Sequence, residues 1–242
     1  VKPSLISFLD ELSKQTEYYI VDERVYVMKK YASELGLFKW FLITTSNLAV
    51  RKYPFEQDPS ERLRREVGFL QYSEGCFNKP RIILVDYSSN VLIREFVKGD
   101  IYSYDAPRVI HYRLGRELGA CHEGGWVLGD SKISNFVYTT DNYIYIIDAE
   151  QAIREYNDEY AAWDLLVYTS TLTMDGYLKA LYNKDIYDEI LESVLTGYLD
   201  GNTSAKRVFK RLLSLDYKSL IYLLVPFPFN YIFTKKIENY AD

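Results

Sequence analysis

The apolar positions change period along the chain, and the changes divide it. Leu5, Ile6, Phe8, Leu9 and Leu12 recur at helical spacing and predict a short amphipathic helix over residues 4–13. Tyr18 to Val21, Val25 to Lys29, Leu37 to Thr44 and Leu48 to Tyr53 are instead rich in β-branched and aromatic residues between short polar breaks, which predicts a twisted antiparallel sheet. Helical spacing returns after Asp58-Pro59-Ser60-Glu61, where Asp58 suits an N-cap, Pro59 the first helical position and Glu61 the acid of a capping box. Leu63, Val67 and Leu70 make the apolar stripe of this helix. Glu66 falls on or near that stripe, and an inward-leaning acid needs a partner.

Two more strands, Arg81 to Val85 and Asn90 to Phe96, end at Lys98-Gly99-Asp100, which marks a lobe boundary. From Pro107 a helix runs through Ile110, Leu114, Leu118, Cys121 and His122 until Gly124-Gly125 stops it. Beyond Tyr156 the pattern is mostly helical. The expected architecture is α+β and two-lobed: residues 1–97 as an antiparallel-sheet N-lobe with a short N-terminal helix and one further helix, and residues 98–242 as a mainly helical C-lobe.

Composition narrows the function classes. With 48% hydrophobic and 26% charged residues, a 242-residue chain has enough apolar surface for a proper core and no reason for long disorder. Its net charge is −5 and no basic stripe stands out, so no nucleic-acid site is expected; Lys206, Arg207, Lys210 and Arg211 read as a solvated helix face. Two cysteines and two histidines make no zinc spacing, which with no basic and apolar leader at Val1 suits a reducing cytoplasm, with Cys121 as an unpaired core thiol. Leu220 to Phe233 is too short to span a membrane and carries Pro226 and Pro228, so it is expected as core or a docking surface.

The candidate chemistry lies in Trp126-Val127-Leu128-Gly129-Asp130-Ser131-Lys132-Ile133-Ser134-Asn135, followed by the apolar runs Phe136 to Tyr138 and Tyr143 to Ile147 and then Asp148. If the two runs pair as a hairpin, its centre falls between the turn formers Asp141 and Asn142, and Asn135 faces Asp148 at the open end. An amide oxygen beside a carboxylate suits magnesium, which uses few protein carboxylates and takes the rest of its ligands from phosphates and water. Asp130 reaches the same mouth on a short loop, placed to accept a proton from a hydroxyl, and Lys132 could neutralise a transferring phosphoryl group.

These intervals resemble the catalytic loop of protein kinases, an Asp followed two residues on by Lys and five on by Asn, with Asp148 similar to the metal-binding Asp. Leu128-Gly129 before Asp130, and Ala149-Glu150 after Asp148, depart from the usual pattern in the direction of RIO kinases and of the small kinase of the KEOPS tRNA-modification complex. The resemblance implies ATP and Mg as cofactors, Asp130 and Lys132 as catalytic, Asn135 and Asp148 as metal ligands, and backbone groups around Glu95, Phe96 and Val97 toward adenine. It also implies an ATP-binding lysine on the strand Leu48 to Tyr53, where strand alternation admits Arg51 or Lys52 and Lys52 is preferred, paired with Glu66. Asp164 is similar to the acid that holds the catalytic loop, and its short distance from Asp148 leaves no room for a conventional activation segment. Lys30 to Gly36 is similar to a phosphate-covering loop, with one glycine where three are usual.

The function so implied is an atypical Ser/Thr protein kinase moving the γ-phosphoryl group of ATP to a hydroxyl. Two alternatives stand beside it: a small-molecule or sugar kinase of the lipopolysaccharide-kinase-like type, and a pseudokinase or nucleotide-dependent assembly switch. The partner is accordingly a protein substrate or a small hydroxyl acceptor, with a protein assembly open and no membrane span.

Overall fold

The computed structural model describes residues 16–32 and 52–241. Among the described residues, the sheet over the first part has four strands in the order β1-β2-β4-β3: β1 (Thr16–Val21), β2 (Arg24–Lys30), β3 (Ile82–Asp86) and β4 (Val91–Glu95), each pair antiparallel. These match four of the expected strands. The expected helix over 4–13, the strand Leu37 to Thr44 and most of Leu48 to Tyr53 lie outside the described residues, as does Arg51. Lys52 and Tyr53, within the description, form a turn and bend.

Helix α1 (Pro59–Tyr72) begins where the capping residues place it, with the Asp58 carboxylate accepting from the backbone N–H groups of Ser60 and Glu61. Its stripe, Leu63 and Val67, packs on Tyr31 and Leu92 as a small separate core beneath the sheet.

The second part is mainly helical: α2 (Arg108–Glu123), α3 (Asp158–Asp175), α4 (Tyr177–Tyr182), α5 (Lys184–Gly201), α6 (Ala205–Leu212), α7 (Leu215–Leu224) and α8 (Phe229–Ala241). A small sheet, β5 (Asp100–Ile101), β6 (Phe136–Tyr138) and β7 (Ile144–Ile146), lies among them. The protein is thus α+β, with an antiparallel-sheet N-terminal lobe and a helical C-terminal part. Only residues 149–157 separate Asp148, two residues past β7, from α3, so no long activation segment intervenes. Leu220, Ile221, Phe229 and Phe233 are buried, so the apolar Leu220 to Phe233 stretch contributes to the core, and no helix of the described residues is long and apolar enough to cross a membrane.

Helices α2 and α5 cross at backbone distance. A Cβ on Gly115 would overlap the Val194 carbonyl, and one on Gly197 the Tyr112 carbonyl, so small residues at these positions let the main chains meet. Cys76, in the segment after α1, is bonded to Cys121 of α2 with their Cα atoms 4.4 Å apart. This corrects the expectation of an unpaired thiol: the chain leaving α1 lies directly on α2. It also removes the cysteine argument for a reducing compartment.

His111 is buried on α2, its Nδ1 2.5 Å from the Tyr102 hydroxyl. Burial pushes its pKa down to about 4, with the carbonyls of Ala106 and Tyr104 pulling the other way. The unfolded chain protonates this imidazole near its ordinary value, so its contribution to stability is fully present above that value and is lost as pH falls toward 4. Between pH 7.5 and pH 4 the loss should be about 3 kcal/mol. Urea denaturation of wild type and His111→Asn at both pH values checks this: the pH-dependent loss should shrink in the variant.

Candidate active site

The loop before β6 is held from below by one acid. Asp164, fully buried on α3, accepts from the backbone N–H groups of Leu128 and Gly129 at 2.7 Å each, and His122 Nε2 lies 3.0 Å from its other face. Ser131 donates to the Asp164 carbonyl at 2.7 Å and Trp163 donates to the Gly129 carbonyl at 2.8 Å, so the loop is tied to α3 on both sides of Asp130. His122 Nδ1 also meets the Tyr198 hydroxyl at 2.7 Å, so this buried imidazole bridges Asp164 to the helix that carries Tyr198. Gly129 has a φ of +72°, and a Cβ there would run into the Tyr53 ring. Only glycine serves both demands.

On this frame, Lys132 Nζ lies 2.7 Å from Asp130 Oδ2. Burial works against the charge of Lys132, but Asp130 and Asp148 outweigh it and raise its pKa. Asn135 donates from Nδ2 to the Asp130 carbonyl at 2.8 Å, leaving its amide oxygen available to a cation. The hairpin joins as expected with its register shifted by one: Phe136 pairs Ile146, and Ile147 N–H donates to the Asn135 carbonyl at 2.9 Å. Asn142 takes a φ of +63° in the loop, which moves the centre of symmetry off the expected midpoint. Asp148 therefore stands one residue beyond the pair that contains Asn135.

The lysine facing Asp148 is Lys29. Its ammonium lies 2.8 Å from Asp148 Oδ1, 2.8 Å from Glu66 Oε2 and 3.0 Å from Glu150 Oε2. Tyr31 also donates to Glu66. Burial disfavours the Lys29 charge, yet Asp148 and Glu66 raise its pKa well above the ordinary value. Burial alone would push Asp148 up, but Lys29 and Lys132 hold its carboxyl well below the usual range. Glu150 moves upward through burial and the Asp148 charge, against the pull of Lys29 and Arg62.

The predicted pairing of Lys52 with Glu66 is corrected here. Lys52 Nζ lies 2.7 Å from Glu159 and also pairs with Asp216, both on C-terminal helices, and sits over the Tyr217 ring. The physical reason is its neighbour: Tyr53 is buried against Gly129, its hydroxyl donating to the Gln151 carbonyl at 2.5 Å, so the chain at 52–53 is anchored to the helical C-terminal part and is not a sheet strand. The Gln151 amide completes the anchor, accepting from Glu56 N–H at 2.8 Å and donating to the Glu56 carbonyl at 3.0 Å. Most of Lys30 to Gly36 lies outside the described residues.

At the junction of the lobes, Glu95 N–H donates to the Arg81 carbonyl and Phe96 N–H to the Val25 carbonyl, at 2.9 and 3.2 Å. Arg94, buried, reaches the Glu95 carbonyl at 3.4 Å and the Ile147 carbonyl at 2.9 Å. Of the residues expected to face adenine, Val97 is the one whose backbone no hydrogen bond engages among the described residues.

Three carboxylates, Glu66, Asp148 and Glu150, lie close enough together to consider a metal. They are not equivalent. Lys29 faces all three and Arg62 faces Glu150 as well, but the Glu66 and Glu150 side chains are 1% and 6% exposed, whereas Asp148 is 28% exposed. Asp148 is therefore the most accessible carboxylate of the three.

No family model matches the chain, and no curated protein matches it. Among solved structures, WbdD in complex with a kinase inhibitor shows 14% identity and a TM-score of 0.47 over 82% of this chain, which spans about half (48%) of that one. Choline kinase LicA from Streptococcus pneumoniae shows 10% identity and a TM-score of 0.47 over 88% of this chain and 90% of its own. Likenesses at this level leave function to the residues themselves.

Proposed function

We propose that the protein is an ATP- and magnesium-dependent phosphotransferase acting on a hydroxyl. The observation that carries this reading is the convergence of Lys29, Glu66 and Asp148 within 2.8 Å contacts beside a loop that presents Asp130, Lys132 and Asn135. Asp148 and Asn135 would hold the cation, which when bound draws charge from the phosphates. Lys29 would bind phosphate oxygens while Glu66 fixes its position. Asp130, its backbone pinned through Gly129 to Asp164, would orient the acceptor hydroxyl and take its proton, and Lys132 would neutralise charge on the moving group. Backbone groups of Glu95 and Val97 would face the base.

The acceptor is better read as a small hydroxylated molecule than as a Ser or Thr in a peptide. A peptide needs an extended surface beside the catalytic loop, and residues 149–157 offer only a short connector tied down by Gln151. A thermal-shift titration tests the nucleotide half of the reading: Mg·ATP at about 100 times its Kd should stabilise the fold by roughly 2.7 kcal/mol. Absence of a magnesium-dependent shift would leave the assembly-switch or an unrelated role. Labelled ATP with a pool of sugars and amino alcohols, against a generic protein substrate, then separates the two acceptor classes.

A further inference from the structure

Arg62 is buried on α1, one turn before Glu66, and no role in phosphoryl transfer follows from the sequence pattern. Its Nη2 lies 2.5 Å from Glu150 Oε1, and its Nη1 donates to the Ala32 carbonyl at 3.2 Å, just past the strand that carries Lys29. The other oxygen of Glu150 is 3.0 Å from Lys29. Glu150 is thus shared between two cations, one of which a nucleotide would need.

The charges show what each partner must do. Among the described residues, the direct ion pairs of the three carboxylates Glu66, Asp148 and Glu150 are with Lys29 and Arg62, while Lys132 acts on Asp148 from the Asp130 side. A bound Mg·triphosphate would draw Asp148 toward the metal and Lys29 toward phosphate oxygen. Glu66 keeps Lys29 in place from behind. Glu150 has no such duty, and left alone beside Lys29 in a dry site its full charge would compete with the phosphates for the ammonium. We propose that Arg62 is a positioning residue: by neutralising Glu150 it keeps Lys29 available to the triphosphate. This rests on the reading of the site as a Mg·ATP phosphotransferase, and adds a residue to it.

The test is the affinity for Mg·ATP, measured by calorimetry, together with steady-state kinetics, in wild type, Arg62→Met, Glu150→Gln and the double variant. Arg62→Met should weaken binding by about tenfold, raising KM while changing kcat far less, since an unpaired buried carboxylate then claims Lys29. Arg62→Met/Glu150→Gln should return to within about threefold of wild type, the competing charge being gone. Glu150→Gln alone should bind at least as tightly as wild type, which keeps the idea testable even if Arg62→Met fails to fold. Arg62→Met binding like wild type, a double variant as weak as Arg62→Met, or a weakened Glu150→Gln would each overturn the proposal. A purely structural Arg62 would lower Tm in the single variant without the rescue of affinity in the double. If wild type binds no Mg·ATP, the phosphotransferase reading itself falls; if it binds with no dependence on Arg62, only this inference does.

Discussion

Asp164→Ala is expected to lose both folding stability and activity. The carboxylate satisfies two backbone N–H groups and faces His122, all without access to water. Removing it strands these donors, at about 1–3 kcal/mol each, so a total of roughly 3–5 kcal/mol is expected. The stability loss should appear in urea denaturation without any ligand. Any phosphoryl transfer should fall with it, because Gly129 and Asp130 are placed through these bonds. Asp164→Asn, which retains one acceptor oxygen, should lie between. An Asp164→Ala protein with the wild-type unfolding midpoint would mean that the loop is held by something else.

The second large effect separates the two lysines. Lys29→Ala leaves Glu66 and Asp148 facing each other in a site from which water is largely excluded, and breaking one side of a buried ion pair typically costs about 3–5 kcal/mol. Transfer should fall by roughly 100-fold or more, the scale seen when a charge-stabilising donor is removed from an active site. Lys52→Ala should behave differently. Glu159 and Asp216 keep Arg211 as a partner, and the pair is partly solvated, so the cost should be about 1 kcal/mol with transfer almost unchanged. Glu66→Gln should couple energetically to Lys29→Met and not to Lys52→Met in a double-mutant cycle. If Lys52 is the one that couples, the strand assignment described above is wrong.

Those two lysines also show what the sequence could and could not disclose. The Asp58 cap and the buried Glu66 are local patterns, legible because spacing sets their geometry, and the Asp164 tether was implied by the resemblance of the Asp130 loop to a kinase loop. The partner of Glu66 is a long-range pairing between a strand and a helix, which spacing does not disclose, and Lys52 is held instead by Glu159 and Asp216 beside the Tyr53 anchor. A signal for Lys29 does exist. Val27, Lys29 and Tyr31 alternate on the buried face of β2, so a lysine there continues an apolar row and, like Glu66, demands a partner. Arg62, Arg94 and Gln151 left no comparable trace, since an arginine on a helix or strand usually faces water, and only the folded arrangement shows what these three reach. The hairpin centre was off by one residue because a left-handed Asn142 changes the loop count without changing its composition.

The central claim is that Asp148, beside Asn135 and opposite Lys29, receives a divalent cation together with nucleotide phosphates. Electron paramagnetic resonance of Mn²⁺ measures this directly, by following the free-ion signal as protein is added with and without ATP, in wild type and in Asp148→Asn. Wild type should take up Mn²⁺ beyond the amount held by ATP alone only when ATP is present, and Asp148→Asn, with its fold intact by circular dichroism, should lose that uptake. Equal ATP-dependent uptake in Asp148→Asn, or none in wild type, would contradict the assignment.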